Sequence, residues 1–206
     1  MAAISPLLAD LYGKRMKNSS RPSELRNDEE TVLSVRHWVK TFVMEMNLCP
    51  FAKYEMLNNR VRFVTTTAIT EEQLLMSLQE ELQLLDNDPS VETTLLIHPN
   101  VLQDFYDYNQ FLSYADKLIL EMGLEGIYQV ASFHPDYQFG GTDFDDAENY
   151  TNRSPYPLLH IIREASLERA IAEYPDVDQV PARNVALMNS LGRDKLQALF
   201  ESLFKL

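Results

Sequence analysis

The chain predicts an α/β fold, and three observations predict it. Strand-like and helix-like segments alternate through its middle, an amphipathic helix precedes them, and the last third is helical in pattern. Such alternation implies a small, mainly parallel sheet built from a strand–helix–strand–helix–strand core. It leaves room for one antiparallel member.

Asn27-Asp-Glu-Glu30 has the form of a capping box. Val32, Val35, Trp38, Val39, Phe42, Val43 and Met46 follow at helical spacing, so a helix runs from there towards Cys49-Pro50. Arg60 to Thr67 is rich in Val, Phe and Thr and reads as the first strand. Thr70-Glu-Glu-Gln73 is a second capping box, opening a helix with a Leu74, Leu75, Leu78, Leu82, Leu85 stripe that ends at Asp86-Asn-Asp-Pro89. Thr93 to His98 is an apolar second strand. Asn100 with Gln103 can cap a helix running through Phe105, Tyr108, Leu112, Ala115, Ile119 and Met122 to a left-handed stop at Gly123. Ile127 to Phe133 is the third strand. Residues 136–151 form an acidic loop with Gly140-Gly141. Helices are expected over about 154–173, 181–190 and 193–205.

The 206 residues include 45% hydrophobic and 24% charged residues, ordinary for a globular protein. Residues 28–206 read as a single α/β domain. Residues 1–27 read as a flexible extension or an organelle transit peptide, with five basic residues against two acidic ones. The rest of the chain carries a net charge of −16, since the whole carries −13. A body that acidic disfavours nucleic acid. No apolar run is long enough to span a bilayer. These features suggest an intracellular, soluble protein, cytoplasmic or organellar. One cysteine rules out an internal disulfide framework.

Several polar residues stand at segment ends. His98-Pro99 and His134-Pro135 each close a strand, and ligands of open parallel sheets bind beyond the carboxyl ends of strands. Arg153-Ser-Pro155 reads as a helix start, with Ser154 as N-cap and Pro155 at the first position. Helix N-termini attract anions, so Arg153, Asn152, Ser154, His160 and Arg163 form a candidate carboxylate or phosphate clamp. On a helix, His160 and Arg163 would share one face. Cys49 is a lone cysteine ending a helix. It is either a small buried hydrophobe or, with a nearby base such as His134, a nucleophile. Asp143 or Asp145 would orient His134; alternatively Asp143, Asp145 or Asp146 would pair with Arg153 or Arg163. A mixed metal site from Cys49, His134 and His160 or His98 is a third arrangement, without familiar spacing.

The chain resembles domain of unknown function family 1415. The resemblance lies in Asn47-Leu-Cys-Pro-Phe-Ala52, in Gly126-Ile-Tyr-Gln-Val-Ala-Ser-Phe-His-Pro-Asp-Tyr-Gln-Phe-Gly140, and in Asn152-Arg-Ser-Pro-Tyr-Pro157 with His160 and Arg163-Glu164. It covers about residues 30 to 204 and implies no activity, substrate or catalytic residue.

The leading expectation is an enzyme acting on a small anionic metabolite. Here Arg153 would hold the anion, His134 act as acid–base group, and Cys49 act as nucleophile or line the site. Two alternatives stand beside it: a non-catalytic binding or interaction module whose polar residues form a structural network, and a metal-dependent enzyme. The sequence names no cofactor and leaves a homo-oligomer open.

Overall fold

The computed structural model describes residues 28–174 and 176–205. The expected extension over residues 1–27 lies outside them. Helix α1 (Asp28–Trp38) runs directly into a π-helical turn, Val39–Met44, and a short α2 (Ala52–Leu57) follows. Asn47, at φ 55°, turns the chain between them. Then come β1 (Val61–Thr65), α3 (Glu71–Asn87), β2 (Thr93–Ile97), α4 (Phe105–Glu121) and β3 (Tyr128–Phe133). The rest of the chain holds a 3-10 turn (Ala147–Thr151), β4 (Leu158–Arg163), α5 (Glu164–Glu173), α6 (Val180–Leu191) and α7 (Arg193–Ser202).

The α/β class, the N-terminal helix and the helical C-terminal region all stand. The sheet is mixed rather than mainly parallel, with strand order β1-β2-β4-β3, because the inserted fourth strand makes two of the three pairings antiparallel. β1 and β2 pair in parallel, while β4 is antiparallel to both β2 and β3. The three expected strands therefore all run in one direction, and β4 is inserted between the second and third. That insertion corrects the helix expected from residue 154. Only Glu164–Glu173 of that stretch is helical. Leu158-Leu-His-Ile-Ile-Arg163 is a strand packed on both faces, and such strands read as continuous apolar runs that periodicity cannot separate from helix.

Local chemistry explains the other boundaries. The Thr70 side chain accepts from the Gln73 N–H and caps α3 as expected. For α4 the cap is Asp104, not Asn100: its carboxylate accepts from the N–H groups of Tyr106 and Asp107. Gly123 and Gly192 supply the left-handed φ that stops α4 and separates α6 from α7.

Each sheet face carries its own core. On one face, the leucine stripe of α3 and Tyr108, Phe111, Ala115 and Leu118 of α4 cover Leu96, Leu159 and Ile161. On the other, Val35, Trp38 and Phe42, together with Met188 of α6 and Leu196 of α7, cover Leu95, Ile97 and Leu158. Tyr108 also ties strands together. Its buried hydroxyl donates to the Leu158 carbonyl at 2.8 Å and accepts from the Phe133 N–H at 3.0 Å. Tyr108→Phe would leave both backbone groups unpaired inside the protein. We expect a loss of about 2 kcal/mol in urea unfolding; a loss under 0.5 kcal/mol would mean that water replaces the hydroxyl.

Candidate functional site

A cavity of about 280 Å³ lies on the α1 face of the sheet. Its floor is set by strand register. Thr93 pairs with Ile162, and Leu95 pairs with His160, which in turn pairs with Ala131, so these side chains point to one face. Phe133, with Trp38 packed edge-on at 5.3 Å, closes one side. Cys49, Ala52, Glu55 and Met56 form one wall, and Ser166, Leu167 and Ala170 of α5 form another. The π-helical turn contributes Val39 and Val43. Such turns occur often at functional sites because they displace side chains from regular helical positions.

His160 is the polar centre of this floor. The Thr93 hydroxyl has one proton and gives it to the Ile161 carbonyl at 2.6 Å. The imidazole Nε2–H therefore donates to the same hydroxyl oxygen, 2.7 Å away. Nδ1 is left as a bare acceptor, with no partner among the described residues. Burial depresses the pKa of His160 to about 4, so the ring is neutral at physiological pH. Cys49 borders the same space, and burial raises its pKa despite contacts from the Phe51 and Ala52 backbone. At neutral pH it is a thiol, not a thiolate.

Polar atoms without hydrogen-bond partners gather around the cavity. Trp38 is 2% exposed, and its indole N–H has no acceptor among the described residues. Glu92 is 5% exposed and its Oε1 has no donor. Glu55 Oε2 makes no hydrogen bond; Arg60 Nε lies 3.7 Å from it. Arg60 also pairs with Glu92 through Oε2.

Of the residues singled out from sequence, Cys49, His160 and Arg163 border the cavity. The charged end of Arg163 serves elsewhere. In a strand, residues three apart face opposite ways, so Arg163 projects away from His160. Its guanidinium donates to the carbonyls of Leu85, Asp88 and Val91 and, at 2.6 Å, to the Tyr128 hydroxyl. It thus neutralises the C-terminal end of α3.

The other candidates belong to the loop between β3 and β4. Ser154 caps no helix: its hydroxyl donates to the Tyr156 carbonyl at 2.6 Å. The Asn152 side chain donates to the Ser132 carbonyl. The Arg153 guanidinium donates to the carbonyls of Tyr137 and Phe144 at 3.2 and 2.6 Å and lies over the rings of Phe144 and Tyr150. Among the described residues no carboxylate pairs with it. Asp145 instead forms an exposed ion pair with Arg193 at 2.8 Å. The Asp143 backbone N–H donates to the Asp146 carboxylate, and the Asp143 carbonyl accepts from Asn149.

His134 is fully buried and is oriented by the backbone, not by an aspartate side chain. Its Nδ1 accepts from the Asp136 N–H at 3.0 Å, and its Nε2 donates to the Leu102 carbonyl at 3.2 Å. Burial lowers its pKa. His98 donates through Nδ1 to the Val101 carbonyl at 3.0 Å. The two rings flank Tyr108, at 5.7 and 5.1 Å. Both do lie at the same sheet edge, as expected. Together they fasten the loop containing Leu102, whose φ of 57° is unusual for a leucine.

The structure thus brings Cys49 and His160 to one cavity and leaves His134, Arg153 and the loop aspartates outside it. Among the described residues no three His, Cys, Asp or Glu side chains gather as a metal site would require. No described helix is long and apolar enough to cross a membrane. Sequence reasoning passed over Trp38, Glu92 and Thr93. Trp38 was absorbed into a helical stripe. Arg60 and Glu92 each stand one residue before a strand, and the parallel register of those strands sets them side by side.

A model of one protein family, described as protein of unknown function (DUF1415), matches residues 30–198. The match spans most of the chain, and the chain belongs to this family. No curated protein and no solved structure matches it.

Proposed function

We propose that this family member binds a small, mainly apolar molecule in the cavity over the sheet, with His160 as its polar anchor. One observation carries the reading. A neutral imidazole, oriented by Thr93, presents an unpaired ring nitrogen in the floor of a largely apolar space. Ligand sites commonly combine apolar walls with a few placed polar groups.

The anionic-metabolite expectation gains nothing from this cavity, since its carboxylates outnumber its available cations. If the bound molecule reacts, His160 is the group suited to take a proton from it. Cys49, kept as a thiol, lines the space. The hydrogen bonds of Arg153 and His134 support a structural role for those residues, the network of the alternative reading.

The test is a thermal-shift and calorimetric screen of small aryl and alkyl compounds. A ligand at 100 times its dissociation constant should add about 2.7 kcal/mol of stability. His160→Leu should weaken hits by about tenfold, the loss of one hydrogen bond. Ala170→Phe should block the cavity. Hits that bind both variants like the wild type, or an absence of hits, would overturn the proposal.

A further inference from the structure

The groups around the cavity that lack a hydrogen-bond partner are mostly of one kind. His160 Nδ1, Glu92 Oε1 and Glu55 Oε2 are all acceptors lacking a hydrogen-bond donor. Two carboxylates, Glu55 and Glu92, share the single guanidinium of Arg60. Glu92 is 5% exposed, so its bare oxygen is cut off from bulk water. Burying a carboxylate oxygen without a donor is costly. A ligand that brings both donors and positive charge removes that cost. An alcohol brings one donor and no charge, whereas an ammonium group brings up to three donors and the missing charge. A carboxylate ligand would add a third negative group beside Glu55 and Glu92.

We propose that the ligand of this cavity is an amine, an apolar alkyl or aryl body carrying an ammonium group held by Glu92 and Glu55. The inference rests on the reading that the cavity binds a small apolar molecule and adds the ligand's charge. Arg60 is then a competitor as well as a partner: it occupies one oxygen of Glu92 and leaves the other without a donor.

Three probes of equal length test this by calorimetry at pH 7: 3-phenylpropylamine, 3-phenylpropan-1-ol and 3-phenylpropanoate. The amine should bind at least tenfold tighter than the alcohol, and the carboxylate weakest. Glu92→Gln should bring the amine and the alcohol within about twofold. Arg60→Met should have the opposite effect and enlarge the thermal shift produced by the amine. Circular dichroism and urea midpoints show whether each variant folds. If Glu92→Gln does not, Glu55→Gln should still reduce the preference severalfold.

Equal binding of amine and alcohol, or tighter binding of the carboxylate, would overturn the inference while leaving the cavity reading intact. The same holds if neutral apolar compounds bind and the amine does not. If no compound of any charge binds, both readings fall.

Discussion

Acidification from pH 7 to 4.5 should cost the fold several kcal/mol. In an unfolded chain histidine takes up its proton near pH 6.5. In the fold, burial holds His98 to about 4. Between those values the unfolded state binds more protons, so stability falls as pH falls. Each pH unit in that window costs about 1.4 kcal/mol per histidine, and His98 alone should contribute about 3 kcal/mol by pH 4.5. His160, also held to about 4, adds to this, but less fully because it borders a cavity that water can enter. His134 shifts in the same direction. Above pH 7 these groups should give no further gain. Urea midpoints from pH 7 to 4.5 are the measurement, with His98→Asn expected to flatten the slope. A wild-type stability that changes by less than about 1 kcal/mol across this range would mean that His98 is protonated in the fold.

Arg153→Met should destabilise the protein by about 3 kcal/mol while leaving ligand binding in the cavity unchanged. The guanidinium supplies the loop carbonyls of Tyr137 and Phe144 with charged donors and lies on two aromatic rings. Methionine fills the space but leaves those carbonyls without a donor. Lysine should not rescue, because an ammonium group has neither the planar fork nor the stacking surface. Chemical unfolding and a binding isotherm on the same variant separate the two roles. A stable variant that has lost ligand binding would favour the anion clamp expected from sequence.

Most elements announced themselves locally. The α3 cap, the two leucine and aromatic stripes, the first three strands and the glycine stops depend on neighbours within a few residues, and periodicity reports such features well. β4 did not, because its evidence is tertiary. Ser154-Pro155 resembles a helix start, and Leu158, Leu159, Ile161 and Ile162 suit either period. What makes them a strand is the space between β2 and β3, which no local pattern encodes. A helix through residues 154–173 would put a helix N-terminus at Ser154 and His160 and Arg163 on one face; the strand has no such terminus and turns the two side chains opposite ways. For the cavity, Cys49 and His160 were legible as polar residues in apolar surroundings. Glu92 and Trp38 were not, because their lack of partners is a property of the folded arrangement.

The position of β4 also constrains how the sheet can close. β1 and β2 are joined through a single helix and can pair before the remainder of the chain is in place. β3 cannot join them directly, because among the described residues its one neighbour in the sheet is β4. Closure requires residues 158–163 to lie between strands drawn from earlier parts of the sequence. Until then, β2 and β3 both expose unpaired backbone edges, the kind of surface on which partly folded chains associate. The same insertion completes the cavity floor by delivering His160, so a ligand for that floor would recognise only chains whose sheet has closed.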